Sequence, residues 1–279
     1  MKNRFTPKVF WYSLCTSILM ASSTLSFSTN VSQETDQSDK FKAFSKESTV
    51  SPLFKNSVAS NDIDFITADD KTIKSTLMFL KNDRVEMPGN LHTDDLFDNN
   101  AYVYSADFVD NTSVGIWLSS DFSSKTEARK YGDMLLGPLG KLPFKMRQTL
   151  KHVVIHKGDR AASAEDKGNF FIMHSTNMET RISNHDLEET VFHESVHATL
   201  DVMYEDTEEW LLAQIRDKNY ITEYAERKHS EDHAESALFI YTYLYHPERL
   251  SEHVKNWMKQ NIPNKINHFK QVFEIVVAK

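Results

Sequence analysis

The chain has 279 residues, 40% of them hydrophobic, which is enough apolar material for one domain of ordinary size or two small ones. Its formal charge of -8 repels nucleic-acid phosphates, so no electrostatic footprint for DNA or RNA is present, and the charge reads as a solvated acidic surface. The single cysteine, Cys15, excludes an internal disulfide framework and a cysteine-rich metal site, so a metal would have to be held by His, Asp and Glu.

In chain order, Lys2, Arg4 and Lys8 precede the mostly apolar run Val9 to Met20, which leads into Ala21-Ser22-Ser23. A basic head, a short apolar run and small residues predict a signal peptide over 1–28, cleaved between Ala21 and Ser28. The expected location is therefore exported, periplasmic or secreted. Leu14 stands before Cys15 where a lipoprotein has a small residue, so no lipid anchor is expected. No apolar run is long enough for a stable membrane span after cleavage. Loss of residues 1–27 would leave a charge of -11 and no cysteine.

Residues 29–60 are polar, without clear periodicity, and predict a flexible lead-in. One folded domain is expected over 61–279. DIDFIT (62–67), STLMFLK (75–81), AYVYSADF (101–108) and SVGIWLSS (113–120) have strand-like composition between Asp, Asn, Gly and Lys clusters. SKTEARKYGDMLLGPL (124–139) predicts a helix capped by Ser124 and stopped at Gly137-Pro138. HVVIH (152–156) and NFFIMH (169–174) are further strands. From Asp186 the pattern is helical, over 186–203, 207–217, 230–245, 247–260 and 264–277, with Pro247 and Pro263 at or just before first turns. Strands first and helices after predict an α+β fold, a small N-terminal sheet region followed by a mostly helical C-terminal half.

The stretch VFHESVHATLD (191–201) carries the chemistry. His193 and His197 are four apart, so a helix places both imidazoles on one face, about one turn apart and within reach of one ion. Glu194 follows the first histidine, as in the H-E-x-x-H arrangement of zinc peptidases, where the glutamate acts as general base. Val191, Val196 and Leu200 give this helix an apolar side to bury. A catalytic zinc needs a third protein ligand and an open position. Leu200 and Met203 exclude the third histidine of the longer H-E-x-x-H-x-x-G-x-x-H pattern. The next helix offers Glu231 and Glu235, again four apart. One carboxylate can bind the metal while the other accepts the ring N–H of a ligating histidine. Glu231 is assigned to zinc and Glu235 to the histidine, with the reverse left open; Asp201 is a further candidate for such a supporting bond.

VFHESVHATLD followed by EYAERKHSEDHAESALFIY resembles the catalytic core of the gluzincins, in particular the anthrax lethal-factor and Pro-Pro endopeptidase group. There H-E-x-x-H is followed by a ligand glutamate in an E-x-x-A-E pattern, matched here by Glu231, Ala234 and Glu235. The group carries a tyrosine seven residues before that glutamate, which is Tyr224 here. The resemblance implies that Tyr224 donates a hydrogen bond to the oxyanion of the tetrahedral intermediate. Upstream, ARKYGDMLL, KLPFKMRQTLKHVVIHKGD and LEETVFHES are similar to uncharacterised exported bacterial zincin-like proteins. They widen the matched region from about 191–245 to about 125–279.

The resemblance implies a zincin-like metallopeptidase that hydrolyses peptide bonds in a peptide or protein substrate. It also implies a strand edge that holds the substrate as an added strand, with NFFIMH the candidate. His152, His156, His174 and His185 read as structural or surface histidines. The alternative is a zinc-bound module that recognises peptides or cell-wall material without cutting, although such a module has no need of Glu194 as a base.

Overall fold

The computed structural model describes residues 48–165 and 168–277, all of them within one compact unit, Phe41–Lys279. The predicted signal peptide and most of the predicted lead-in lie outside the described residues. Six strands, β1 (Ser75–Glu86), β2 (Phe97–Phe108), β3 (Ser113–Leu118), β4 (His152–His156), β5 (Ser163–Glu165) and β6 (Phe170–His174), form one mixed sheet in the order β1-β2-β3-β4-β6-β5. β1, β2 and β3 are antiparallel, β3–β4 and β4–β6 are parallel, and β5 returns antiparallel to β6. The parallel strands β4 and β6 are buried on both faces, which is why HVVI and FFIM read as continuous apolar runs rather than alternations.

One sheet face supplies Ile116, Leu118, Val153, Ile155, Phe171 and Met173 to the main core, all almost fully buried against the helices. The other face carries a smaller cluster of Met87, Ala101, Val154, Phe170 and Ile172. Burying side chains of this size contributes roughly 1.5–3 kcal/mol each.

Between β3 and β4 the chain forms α1 (Lys125–Met134), α2 (Leu136–Lys141) and α3 (Phe144–Thr149). Ser124 caps α1 as expected, its hydroxyl accepting from the Glu127 N–H. Gly137 and Pro138 do not stop the helix. The break falls at Leu135, and both residues sit in the first turn of α2, where proline's missing N–H has no intrahelical partner to lose.

After β6 come α4 (Ser175–Ser183) and α5 (Leu187–Ser195), which continues through a π-helical segment (Val196–Asp201) into a last turn at Val202–Tyr204. Then follow α6 (Glu208–Asp217), α7 (Glu223–Arg227), α8 (Asp232–Tyr245), α9 (Glu252–Asn261) and α10 (Pro263–Val277). The fold is α+β. α5 and α8 pack directly, with the Phe192 and Tyr241 rings 5.3 Å apart.

Three further expectations are corrected. DIDFIT is not a strand. Its Phe65 is fully buried, but the Ile66 N–H goes to the Glu189 side chain, the Phe65 carbonyl to Arg249 and the Phe65 N–H to the nearby Ile63 carbonyl, so period-two burial arises here without a ladder. NFFIMH is not an edge, because β6 lies between β4 and β5; β5 ends the sheet instead. The chain also packs well before Asp62. Residues 48–58 form a strap across the helical half: Asn219 accepts from the Thr49 and Val50 N–H groups, Ile221 accepts from those of Leu53 and Phe54, and Val58 is 1% exposed.

Candidate metal centre

The buried residues of α5 include Leu187, Val191 and Phe192, and this burial fixes the rotation of the helix. His193 and Glu194 are carried with it and are themselves buried, while His197 is half-buried on the π-helical segment. A π segment frees carbonyls from their usual partners, and such segments cluster at functional sites. Here the Ala198 carbonyl accepts from the Asn169 side chain at 2.9 Å, and Asn169 itself holds a left-handed φ of 53°.

Glu231 arrives from the short 3-10 turn that leads into α8, and its Oε2 meets both imidazoles. The separations are 3.3 Å to His193 Nε2, 3.1 Å to His197 Nε2 and 3.2 Å between the two nitrogens. Ligand atoms 2.0–2.1 Å from a tetrahedral zinc stand roughly 3.3 Å apart, so this triangle has the size such an ion requires. His197 Nδ1 lies 2.5 Å from Asp201 Oδ2. A carboxylate only accepts, so Nδ1 carries the hydrogen and the Nε2 lone pair faces the triangle. Among the described residues, His193, His197 and Glu231 form the one group of His, Asp or Glu side chains that could hold a metal ion.

The electrostatics match a site that holds cations. Burial raises the Glu231 carboxyl, but hydrogen bonds from His193, His197 and Lys228 outweigh it and hold the group far below the usual carboxylate range. Burial likewise opposes charge on His197, yet Asp201 and Glu231 lift it to about 10. Without a metal, protons take the place of the cation. Burial raises the Glu194 carboxyl, with the two histidines offsetting part of the effect.

Glu194 and Tyr224 line one cleft with the three ligands, as do Asp201, Glu205, Lys228 and Ser230. The cleft holds about 300 Å³, and its far wall is Ala162, Ser163 and Ala164, on and beside the edge strand β5. Of the predicted site residues, Glu235 departs from expectation. Its Oε1 is 3.6 Å from His193 Nδ1, too long for a hydrogen bond. Its oxygens instead accept from Ser57 Oγ at 2.5 Å, Val58 N at 2.9 Å and Thr222 Oγ1 at 2.8 Å, tying the strap and the cap of α7 to α8. Glu231, not Glu235, completes the triangle.

Two residues of the centre were not anticipated. Lys228 donates to the second oxygen of Glu231, a pairing whose three-residue spacing is visible in the sequence. His233, on α8, bonds Asp201 Oδ1 at 2.6 Å. The other histidines behave as read. His152 stacks between Trp117 and Phe170, and His156 and His174 bond the Pro88 and Gly89 carbonyls.

No family model, no curated protein and no solved structure matches this chain. Among the described residues no helix is long and apolar enough to cross a membrane.

Proposed function

We propose that this protein is an exported, zinc-dependent metallopeptidase of zincin-like fold, with His193, His197 and Glu231 as metal ligands. The observation that supports it most is the convergence of two imidazole nitrogens and one carboxylate oxygen, 3.1–3.3 Å apart, beside Glu194 in an open cleft.

Zinc, when bound, supplies Lewis acidity and makes water a nucleophile near neutral pH. Glu194 lines the cleft beside the ligands, and its raised proton affinity suits it to take the proton from the attacking water and deliver it to the leaving amine. Tyr224, on α7, presents its phenol to the same cleft and donates to the oxyanion. Lys228 balances the charge of Glu231 from outside the triangle. The peptide lies along β5, whose short edge takes the substrate-holding role first read on NFFIMH.

The test is metal analysis and a peptide-library cleavage screen on the wild type and Glu194→Gln. Both proteins are expected to hold about one zinc per chain. Turnover is expected to fall by roughly 10²–10⁴ in the variant. A wild type that takes up no zinc overturns the reading. A zinc-loaded wild type that cleaves nothing leaves the non-catalytic binding module in its place.

A further inference from the structure

Asp201 is a shared residue. Its Oδ2 takes the Nδ1–H of His197, and its Oδ1 takes the Nδ1–H of His233 at 2.6 Å. His233 donates through Nδ1, and its Nε2 lies 3.3 Å from His268 Nε2, so that a single hydrogen joins the two rings. The bonds run from His268 on α10 through His233 on α8 to Asp201, which His197 meets from the other side. Burial holds His268 neutral, at a pKa of about 4, which suits it to one N–H and one lone pair.

The surroundings leave His233 no freedom. It is 1% exposed, the Trp210 ring meets it edge-on at 4.7 Å, and Phe269 packs against it at 4.5 Å. A carboxylate held by one oxygen swings about its own bond; one held by a donor on each oxygen has its plane fixed. Among the described residues His233 is the side chain that occupies the second oxygen.

We infer that His233, backed by His268, is a positioning residue of the metal centre: by pinning Oδ1 of Asp201 it aims Oδ2 at His197 and so sets the direction of the His197 lone pair. This rests on the reading of His193, His197 and Glu231 as a zinc site. It makes the C-terminal helix α10 part of the centre, although none of its side chains lines the cleft.

The test uses two near-isosteres. An asparagine amide nitrogen falls close to the position of histidine Nδ1, so His233→Asn keeps the donor to Asp201 and gives up the contact with His268. A glutamine amide nitrogen reaches the position of Nε2, so His233→Gln loses the donor to Asp201. Zinc affinity is measured on the full chain by competition with a chromogenic chelator, alongside the visible spectrum of the cobalt-loaded protein. His233→Gln is expected to weaken zinc by about tenfold or more and to shift the cobalt bands. His233→Asn is expected to stay within about threefold of the wild type with its spectrum kept, because the donor to Asp201 survives.

Equal losses in the two variants, or none in His233→Gln, overturn the inference while leaving the zinc site intact. A wild type that binds no zinc overturns both. If neither variant folds, His268→Gln against His268→Leu asks the same question one bond further out. The glutamine is expected to keep zinc affinity and the leucine to lose about threefold, and no difference between them overturns the inference.

Discussion

Glu231 and Asp232 are neighbours in sequence and both buried, yet they do opposite things. Asp232 faces Lys265, whose ammonium sits 2.8 and 2.7 Å from its two oxygens; Gln214 and Ser236 donate to the same carboxylate, and the Asn219 carbonyl takes another hydrogen of the ammonium. Each charge in that cluster has its partner, and the cluster is closed. Glu231 instead points an oxygen at two imidazole nitrogens, an acid and two bases whose lone pairs aim at one point. A buried charge with its partners present belongs to the architecture. Two imidazole nitrogens and a carboxylate oxygen that converge on one point form a group that could hold a metal ion.

The comparison breaks most sharply under paired substitutions. Lys265→Met leaves Asp232 charged and buried, and is expected to cost about 3–5 kcal/mol of stability in urea unfolding while the folded fraction binds zinc as before. Glu231→Gln tests the other acid: metal analysis should find stoichiometric zinc gone. If Lys265→Met loses zinc, or Glu231→Gln keeps it, the distinction fails.

Glu189 is the intermediate case, a buried acid on α5 with one oxygen bonded to the Ile66 N–H and the other without a partner. Burial lifts its carboxyl to about 7 from an ordinary 4.5. The folded state thus favours the protonated form. Its contribution to stability is full below about pH 4.5 and is lost as pH rises through 7, a span worth about 3 kcal/mol. Glu189→Gln should remove that slope and make the protein more stable than the wild type at pH 8 by up to the same amount, read from urea curves at pH 5 and 8. Smallest of all, Ser124→Ala removes a cap remote from both clusters and is expected to cost about 1 kcal/mol in thermal unfolding, with zinc binding untouched.

The ligand triangle was legible because helical spacing is a local property: His193 and His197 need only one turn of helix to share a face, and Glu231 precedes a strongly apolar helix. β4 and β6 were legible for the same reason, as short apolar runs between polar ones. What escaped depends on distant chain. Whether Glu235 or Glu231 meets the histidines is decided by Ser57 and Val58, which claim the oxygens of Glu235 from 178 and 177 residues away. His233 joins the centre because Asp201, at the end of the π-helical segment, reaches it, and the wide turn has no signature in composition. β5 is three residues long, below any period a sequence can display. The strap reads as polar and irregular, since its order comes from Asn219 and Ile221 rather than from its own pattern.

The strap also governs the order in which the molecule can be completed. Its bonds join residues 49–58 to 219–235, and Arg249 closes on Phe65 and Asp70 across 179–184 positions. Loops of that length close slowly, because their entropy is lost before the contacts that reward it are made. During synthesis from the N-terminus, the strap has nothing to lie on until α7, α8 and the Arg249 turn have emerged. Closure of the strap is therefore expected late in folding, after α7 and α8 are in place.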